Sequence, residues 1–205
     1  MCQFIETIRI ENGQIHNLSY HNHRLNETRA HFFKDSQPID LANYIKIPVA
    51  EQEKDTPNRI KCRVLYAQFV EEVTYAPYRL HPVHTLKLIN CNEISYSYKS
   101  TDRNLLNKLH TQCREADDIL IVKSDLLTDT SIANIALFDG THWYTPSAPL
   151  LKGTQRASLL EQGRLLEKPL TIDNLYSFQK ITLFNAMIPF GEVRLPVNKA
   201  QISFS

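Results

Sequence analysis

Four places in the chain carry side chains whose types and settings could do chemistry. Lys99 stands in Tyr98-Lys99-Ser100-Thr101-Asp102-Arg103. An amine buried enough to lose its proton forms a Schiff base with a carbonyl compound, while an ordinary lysine stays charged in water. Arg24 lies in His21-Asn22-His23-Arg24-Leu25; its planar fork suits a phosphate, and equally a surface ion pair. Asp129 lies in Thr128-Asp129-Thr130-Ser131-Ile132-Ala133-Asn134. There it either bonds its own turn or offers an anion to a cationic ligand. Gly153-Thr154-Gln155-Arg156 opens a helical run. N–H groups at a helix start attract anions, although a lone glycine is less specific than a full Gly-rich loop. The last two places together would suit a ligand with a basic ring nitrogen at one end and a phosphate at the other.

The elements that must position these residues read as follows. Residues 4–10 (FIETIRI) alternate as a strand does. Asn12-Gly13 supplies the two positive-φ residues of a tight hairpin, with residues 15–18 returning. Ser19 is placed to cap a helix over residues 20–33, with Leu25, Ala30 and Phe33 toward a core. A shorter helix over residues 41–45 stops at Pro48, and residues 51–58 read as a polar loop. Strands are expected over Arg59–Tyr66, residues 69–75 and residues 85–90. The polar, tyrosine-rich stretch 92–100 is the expected connection between an N-terminal α+β domain, residues 1–94, and a C-terminal domain, residues 95–205. Beyond it come a helix over residues 104–116 and strands over 119–122 and 132–138, with Asp129 in a polar turn between them. A short aromatic strand at Trp143-Tyr144 leads to a helix over residues 157–162. A helix at 173–176 and a strand at 181–184 complete an α/β (α+β) pattern.

Composition narrows the function. A hydrophobic fraction of 42% is that of a packed protein. The net charge of +1 gives no electrostatic reason to expect nucleic acid or an anionic membrane as partner. No run is apolar and long enough to span a bilayer, and the first residues, MCQFIETIRIENG, lack a signal-peptide core. Cys2, Cys62, Cys91 and Cys113 are too widely spaced for a zinc site and read as reduced thiols of a cytoplasmic protein. His21 and His23, two apart on a helix, face different ways, so no metal is expected.

Taken in order, FIETIRIENGQI, HNHRL, Lys99 with Arg103, TDTSIAN, the YTP segment, GTQR and FNAMIP resemble the fold type IV pyridoxal-phosphate enzymes. These include branched-chain and D-amino-acid aminotransferases and aminodeoxychorismate lyases. Each motif is weak alone; their joint order over nearly the whole chain is specific. The resemblance implies a two-domain α/β fold, with a small N-terminal domain and a C-terminal pseudo-barrel, the cofactor in the cleft between them, and a homodimer. It implies that Lys99 holds pyridoxal 5'-phosphate as a Schiff base and that Arg24 binds the phosphate. Thr154 and Gln155 would receive that phosphate at the helix start. Asp129 would bond the pyridine nitrogen, keeping it protonated so that the ring accepts electrons. Ser131 and Asn134 fall beneath the cofactor, and Asn185 falls on the substrate side.

The chain departs from the family in three places. Asp129 stands where a glutamate is usual, and Gln155 stands where a threonine is usual. The hairpin that usually precedes the FET strand is missing, which is expected to open one wall of the pocket. FNAMIP and Lys99-x-x-x-Arg103 look closest to the lyase branch. The resemblance therefore implies 4-amino-4-deoxychorismate lyase, releasing pyruvate and 4-aminobenzoate in folate synthesis. An aminotransferase on branched-chain or D-amino acids is the alternative, with Arg63 in IKCRVLY as its candidate carboxylate-binding arginine. A cofactor-binding protein with little catalysis is the third reading. In each case the partner is a small-molecule amine.

Overall fold

The computed structural model describes residues 2–34, 37–47, 59–113 and 115–204. The Pro48 stop and the loop at 51–58 lie outside the described residues. The chain forms two compact units, Met1–Leu80 with Tyr98–Asp102, and His81–Ser97 with Arg103–Ser205.

The first unit contains β1 (Phe4–Glu11), β2 (Gln14–Ile15), α1 (Leu18–Phe32), a 3-10 turn (Leu41–Asn43), β3 (Arg59–Tyr66) and β4 (Val70–Pro77). The strands make an antiparallel sheet in the order β2-β1-β3-β4. Asn12 and Gly13 take φ of 52° and 74° and close the β1–β2 hairpin as their types predict. Alternation turns Phe4, Ile8 and Ile10 of β1, with Cys62, Val64 and Tyr66 of β3, into a core shared with Leu25 and Leu41. Glu6 occupies the same inward register.

Helix α1 departs from expectation at both ends. It starts after Asn17, whose φ is 55°, with no side-chain cap, so Ser19 does not cap it. Its buried face is His21, Leu25, Thr28 and Arg29, and Ala30 is exposed. Leu25 is buried and Phe33 packs on the same core as expected, but the rest of the face is polar, so apolar periodicity misses most of it. Burial is tolerated because the polar groups are bonded: Arg29 Nε donates to Gln68 O at 2.9 Å and its Nη1 to Gln37 O at 2.7 Å. The expected helix at 41–45 is a 3-10 turn, capped by Asp40 accepting from Ala42 N at 3.0 Å.

The second unit contains β5 (Leu86–Asn90), α2 (Asn104–His110), β6 (Asp118–Lys123), β7 (Leu126–Thr130), β8 (Asn134–Phe138) and β9 (Trp143–Pro146). It continues with α3 (Thr154–Glu161), β10 (Leu166–Lys168), α4 (Ile172–Leu175), β11 (Lys180–Phe184), β12 (Val193–Pro196) and β13 (Ile202–Ser203). The sheet runs β10-β9-β8-β7-β6-β5-β13, with β11 joining β8 to β12. The fold is mixed α/β, dominated by sheet.

Two expectations change here. The division of the chain does not fall at 94/95: β5 pairs in parallel with β6 and β13 and belongs to the second unit, while Tyr98–Asp102 belongs to the first. Asp129 is not in a turn. It lies within β7, and the turn is the Ser124-Asp125 pair before it, with φ of 50° and 63°. The joint between β7 and β8 is a single residue pair, Asp129 opposite Asn134.

Candidate functional site

In the first unit Lys99 is held by its backbone. Its carbonyl accepts from Ile5 N at 2.9 Å, and the next residue, Ser100, bridges Phe4. Tyr98, on its other side, stacks on His31 with ring centroids 4.8 Å apart. The lysine side chain is half-buried, and its charge is felt at His21.

Arg24 is part of a buried polar network. Its Nε donates to Glu6 Oε1 at 2.9 Å and its Nη2 to Glu6 Oε2, a forked contact that fixes the plane of the guanidinium. Glu6 and His21 are fully buried, and His21 Nδ1 lies on Glu6 Oε2. Burial alone would raise the Glu6 carboxyl; the Arg24 guanidinium and the His21 contact outweigh it and hold the carboxyl at about 2. Burial lowers His21 despite the neighbouring anion. Glu6 is therefore the anion, His21 is a neutral ring, and Nδ1 carries the donated hydrogen.

Glu6 was not evident as a site residue from types alone. The available signal was its place in the inward register of β1, an acid among Phe4, Ile8 and Ile10. Arg63 is opposite Thr7, one residue out of step with the Glu6–Val64 pair. It therefore faces the other side of the sheet from Arg24, and makes no hydrogen bond or ion pair among the described residues.

The second unit gathers the remaining residues. Asp129 is buried. Its Oδ1 accepts from Asn134 Nδ2 at 2.8 Å and its Oδ2 from Leu151 N at 2.8 Å. Both donors are neutral, and among the described residues no cation lies within ion-pair distance. Burial raises the Asp129 carboxyl to about 6, although these hydrogen bonds and the charge of Arg156 oppose it. Arg156 itself turns away, donating to Pro146 O at 2.8 Å and to Glu167.

Asn134 links the acid to the start of α3. The same Nδ2 donates to Leu151 O at 2.9 Å. Its Oδ1 fills the space that a Cβ at Gly153 would need, so only glycine fits there. Gly153 is the extended N-cap of α3 and supplies no capping side chain. The N–H groups of the first turn, from Thr154 on, point out of the helix start, and the helix dipole favours an anion there. Ser131 is buried two residues from Asp129, with its carbonyl held by Arg103 Nη2 at 2.7 Å.

Two side-chain amides are engaged with backbone. Asn185 spends its amide on backbone: Oδ1 accepts from Met187 N and Ile188 N, at 2.8 and 2.9 Å, and Nδ2 donates to Ile132 O at 3.0 Å. The Gln155 side chain lies on the same 185–190 segment, so only its backbone N–H is part of the helix start.

The second unit thus offers a buried carboxylate lacking a cation and a helix start suited to an anion, tied together through Asn134. This donor set fits a ligand with a cationic ring nitrogen and a phosphate.

The burial of Asp129 has a measurable consequence. A folded-state value near 6 against 3.8 in the open chain means the buried group is favoured when protonated. Stability from that state is fully present below about 3.8 and is lost as pH rises through about 6. In ligand-free protein, Asp129→Asn should gain on wild type between pH 4 and 6.5, by on the order of 1–3 kcal/mol. Any hydrogen-bond mismatch at the new amide is independent of pH and cancels in the difference. Urea unfolding of both proteins at the two pH values checks this, and an equal gap at both would contradict it.

Comparison with known proteins adds a separate line. The family model for class IV amino-transferases matches residues 3–195. An uncharacterised protein of Haemophilus influenzae is 35% identical over 189 residues, spanning 91% of this chain and 98% of its own. A crystal structure from Haemophilus somnus 129PT, provisionally named 4-amino-4-deoxychorismate lyase, is 36% identical with a TM-score of 0.84, covering 92% of this chain and 97% of that one. A hypothetical aminotransferase of Mycobacterium tuberculosis in its PLP-bound form shares the fold, with a TM-score of 0.75 at 18% identity over 93% of this chain and 80% of its own.

Proposed function

The chain belongs to the class IV amino-transferase family, and from that premise we propose that it is a 4-amino-4-deoxychorismate lyase using pyridoxal 5'-phosphate. The family depends on this cofactor. The observation that carries the lyase reading is 36% identity, along almost the full length of both chains, to the Haemophilus somnus protein provisionally given that name. The cofactor reading is supported by Asp129, buried with neutral donors only, and by the anion-binding start of α3 joined to it through Asn134.

When bound, the cofactor supplies an electron-accepting ring. The protein's residues do the rest. Lys99 would hold the cofactor through its amine, and the same amine would take the proton from the amine-bearing carbon of the substrate. Asp129 keeps the ring nitrogen protonated, which maintains the ring's pull on electrons. Arg24, oriented by Glu6, and the N–H groups at Thr154 and Gln155 bind the phosphate. Ser131 and Asn134 shape the floor beside Asp129. The C–O bond on the carbon next to the amine-bearing one would break, the departing enolpyruvate would take up a proton to become pyruvate, and aromatisation to 4-aminobenzoate would make the step effectively one-way.

The protein works in this reading as a cytoplasmic homodimer in folate synthesis. Among the described residues no helix is long and apolar enough to cross a membrane.

Aminotransfer is the second reading, favoured by Arg63. This cation is without a protein partner among the described residues, half-buried on its sheet face, and could take the carboxylate of an amino acid. One experiment separates the two. Cofactor-loaded protein is incubated with aminodeoxychorismate, and 4-aminobenzoate and pyruvate are measured together. Equal yields of both support the lyase. No 4-aminobenzoate, with keto acid formed from an amino donor instead, replaces it with the aminotransferase.

A further inference from the structure

Gln155 stands at the second position of α3, where its main chain belongs to the helix start. Its side chain goes elsewhere. In the orientation that satisfies its neighbours, Nε2 donates to Asn185 O and to Ile188 O, the latter at 3.0 Å, and Oε1 accepts from Phe190 N at 2.8 Å. Both donors and the acceptor of one buried amide are thereby used, which makes its removal costly. The segment it grips is closed on itself by Asn185, whose Oδ1 takes Met187 N and Ile188 N. The same Asn185 reaches Ile132 O at 3.0 Å. Ile132 lies in the loop between Asp129 and Asn134, and is 55% exposed. One side chain therefore connects the first turn of α3 to the 185–190 turn, and through it to the loop beside Asp129.

We infer that Gln155 is a positioning residue for the amine substrate and that its side chain takes no part in holding phosphate. This rests on reading the start of α3 as the phosphate end of the cofactor site. The backbone N–H at Gln155 serves the anion whatever the side chain is. The side-chain amide fixes the shape of the 185–190 turn, and with it the position of Ile132, whose exposed side chain is available to a ligand. A threonine at this position would be too short to reach Phe190 N, so the turn would lose its three-point anchor.

The test uses cofactor-loaded protein with Gln155→Met, which keeps length and volume but removes all three bonds, and with Gln155→Thr. Three quantities are read: hydrogen exchange at the Phe190 amide, the cofactor dissociation constant from an absorbance titration, and KM and kcat for the amine substrate. Phe190 exchange should speed up about tenfold or more, the fold-change that loss of one or two such bonds gives. KM should rise about tenfold while the cofactor constant and kcat move less than about threefold, because the helix-start N–H is retained. Unchanged exchange of Ile121 in β6, a strand in the core, establishes that each variant is folded. If cofactor affinity drops about tenfold while Phe190 exchange is unchanged, the side chain belongs to the phosphate and the inference is overturned. Unchanged Phe190 exchange in both variants overturns it as well, whatever the cofactor does. If wild-type protein takes up no cofactor at all, the reading of α3 fails, and Phe190 exchange still decides whether the clamp exists.

Discussion

Lys99→Ala should lower product formation by about a thousandfold or more, the range expected when a positioned proton-transfer group is removed, and leave the protein folded. The second half follows from how the segment is held. The segment around Lys99 is anchored by its backbone and its neighbours: the carbonyl accepts from Ile5 N, Ser100 bridges Phe4, and Tyr98 is packed against His31 and Phe32. None of these needs the amine. Shortening the side chain leaves these backbone and neighbour contacts in place. The absorption of lysine-bound cofactor should also disappear, although the phosphate end can still be occupied. Product assay, absorption spectrum and melting temperature on one preparation check all three. Turnover near the wild-type rate would mean that another group holds and moves the proton, and would withdraw Lys99 from its proposed role.

How far the sequence discloses this molecule depends on which physical signal each part uses. The β1–β2 hairpin was legible because Asn12-Gly13 carries its own backbone requirement. The strand at Arg59–Tyr66 was legible because alternation survives in IKCRVLY. What was not legible has a common cause, namely polar groups in buried places. β7 reads LLTDT, and its polar half looks like a turn. It is a strand because Thr128 Oγ1 bonds Ile121 O at 2.8 Å and Thr130 Oγ1 accepts from Ala133 N at 3.0 Å, so burial leaves those hydroxyls satisfied. The inward face of α1 is His21, Thr28 and Arg29 around Leu25, so a search for apolar spacing selects Ala30, which is exposed. The division of the chain was misplaced for another reason. β5 is held in the second unit by parallel pairing with β6 and β13, far along the chain, and no local pattern records a non-local partner. The amides of Asn185 and Gln155 bond backbone groups distant in sequence, and no local pattern records such partners either.

Glu6→Gln should be among the most destabilising single changes in the first unit, by about 3–5 kcal/mol at neutral pH. The substitution preserves shape, so the loss is electrostatic. In wild type the carboxylate accepts two bonds from Arg24 and one from His21, all at a position with no exposure. An amide has one acceptor oxygen where there were two, and its NH2 must face either the guanidinium or the imidazole N–H, which are also donors. The largely buried Arg24 charge then loses the carboxylate to which both arms of its fork are bonded. The pH dependence follows from Glu6 lying at about 2 when folded against 4.5 in the open chain. A depressed carboxyl contributes stability that is fully present above about 4.5 and is lost as pH falls toward 2. The gap between wild type and Glu6→Gln should therefore be constant from pH 7 down to about 5 and narrow below that. Urea unfolding across this range measures it directly. Because Glu6 also fixes the plane of the Arg24 fork, the variant should bind cofactor more weakly even at temperatures where it is fully folded. A variant as stable as wild type at pH 7, with cofactor affinity intact, would show that Arg24 is oriented by something other than Glu6.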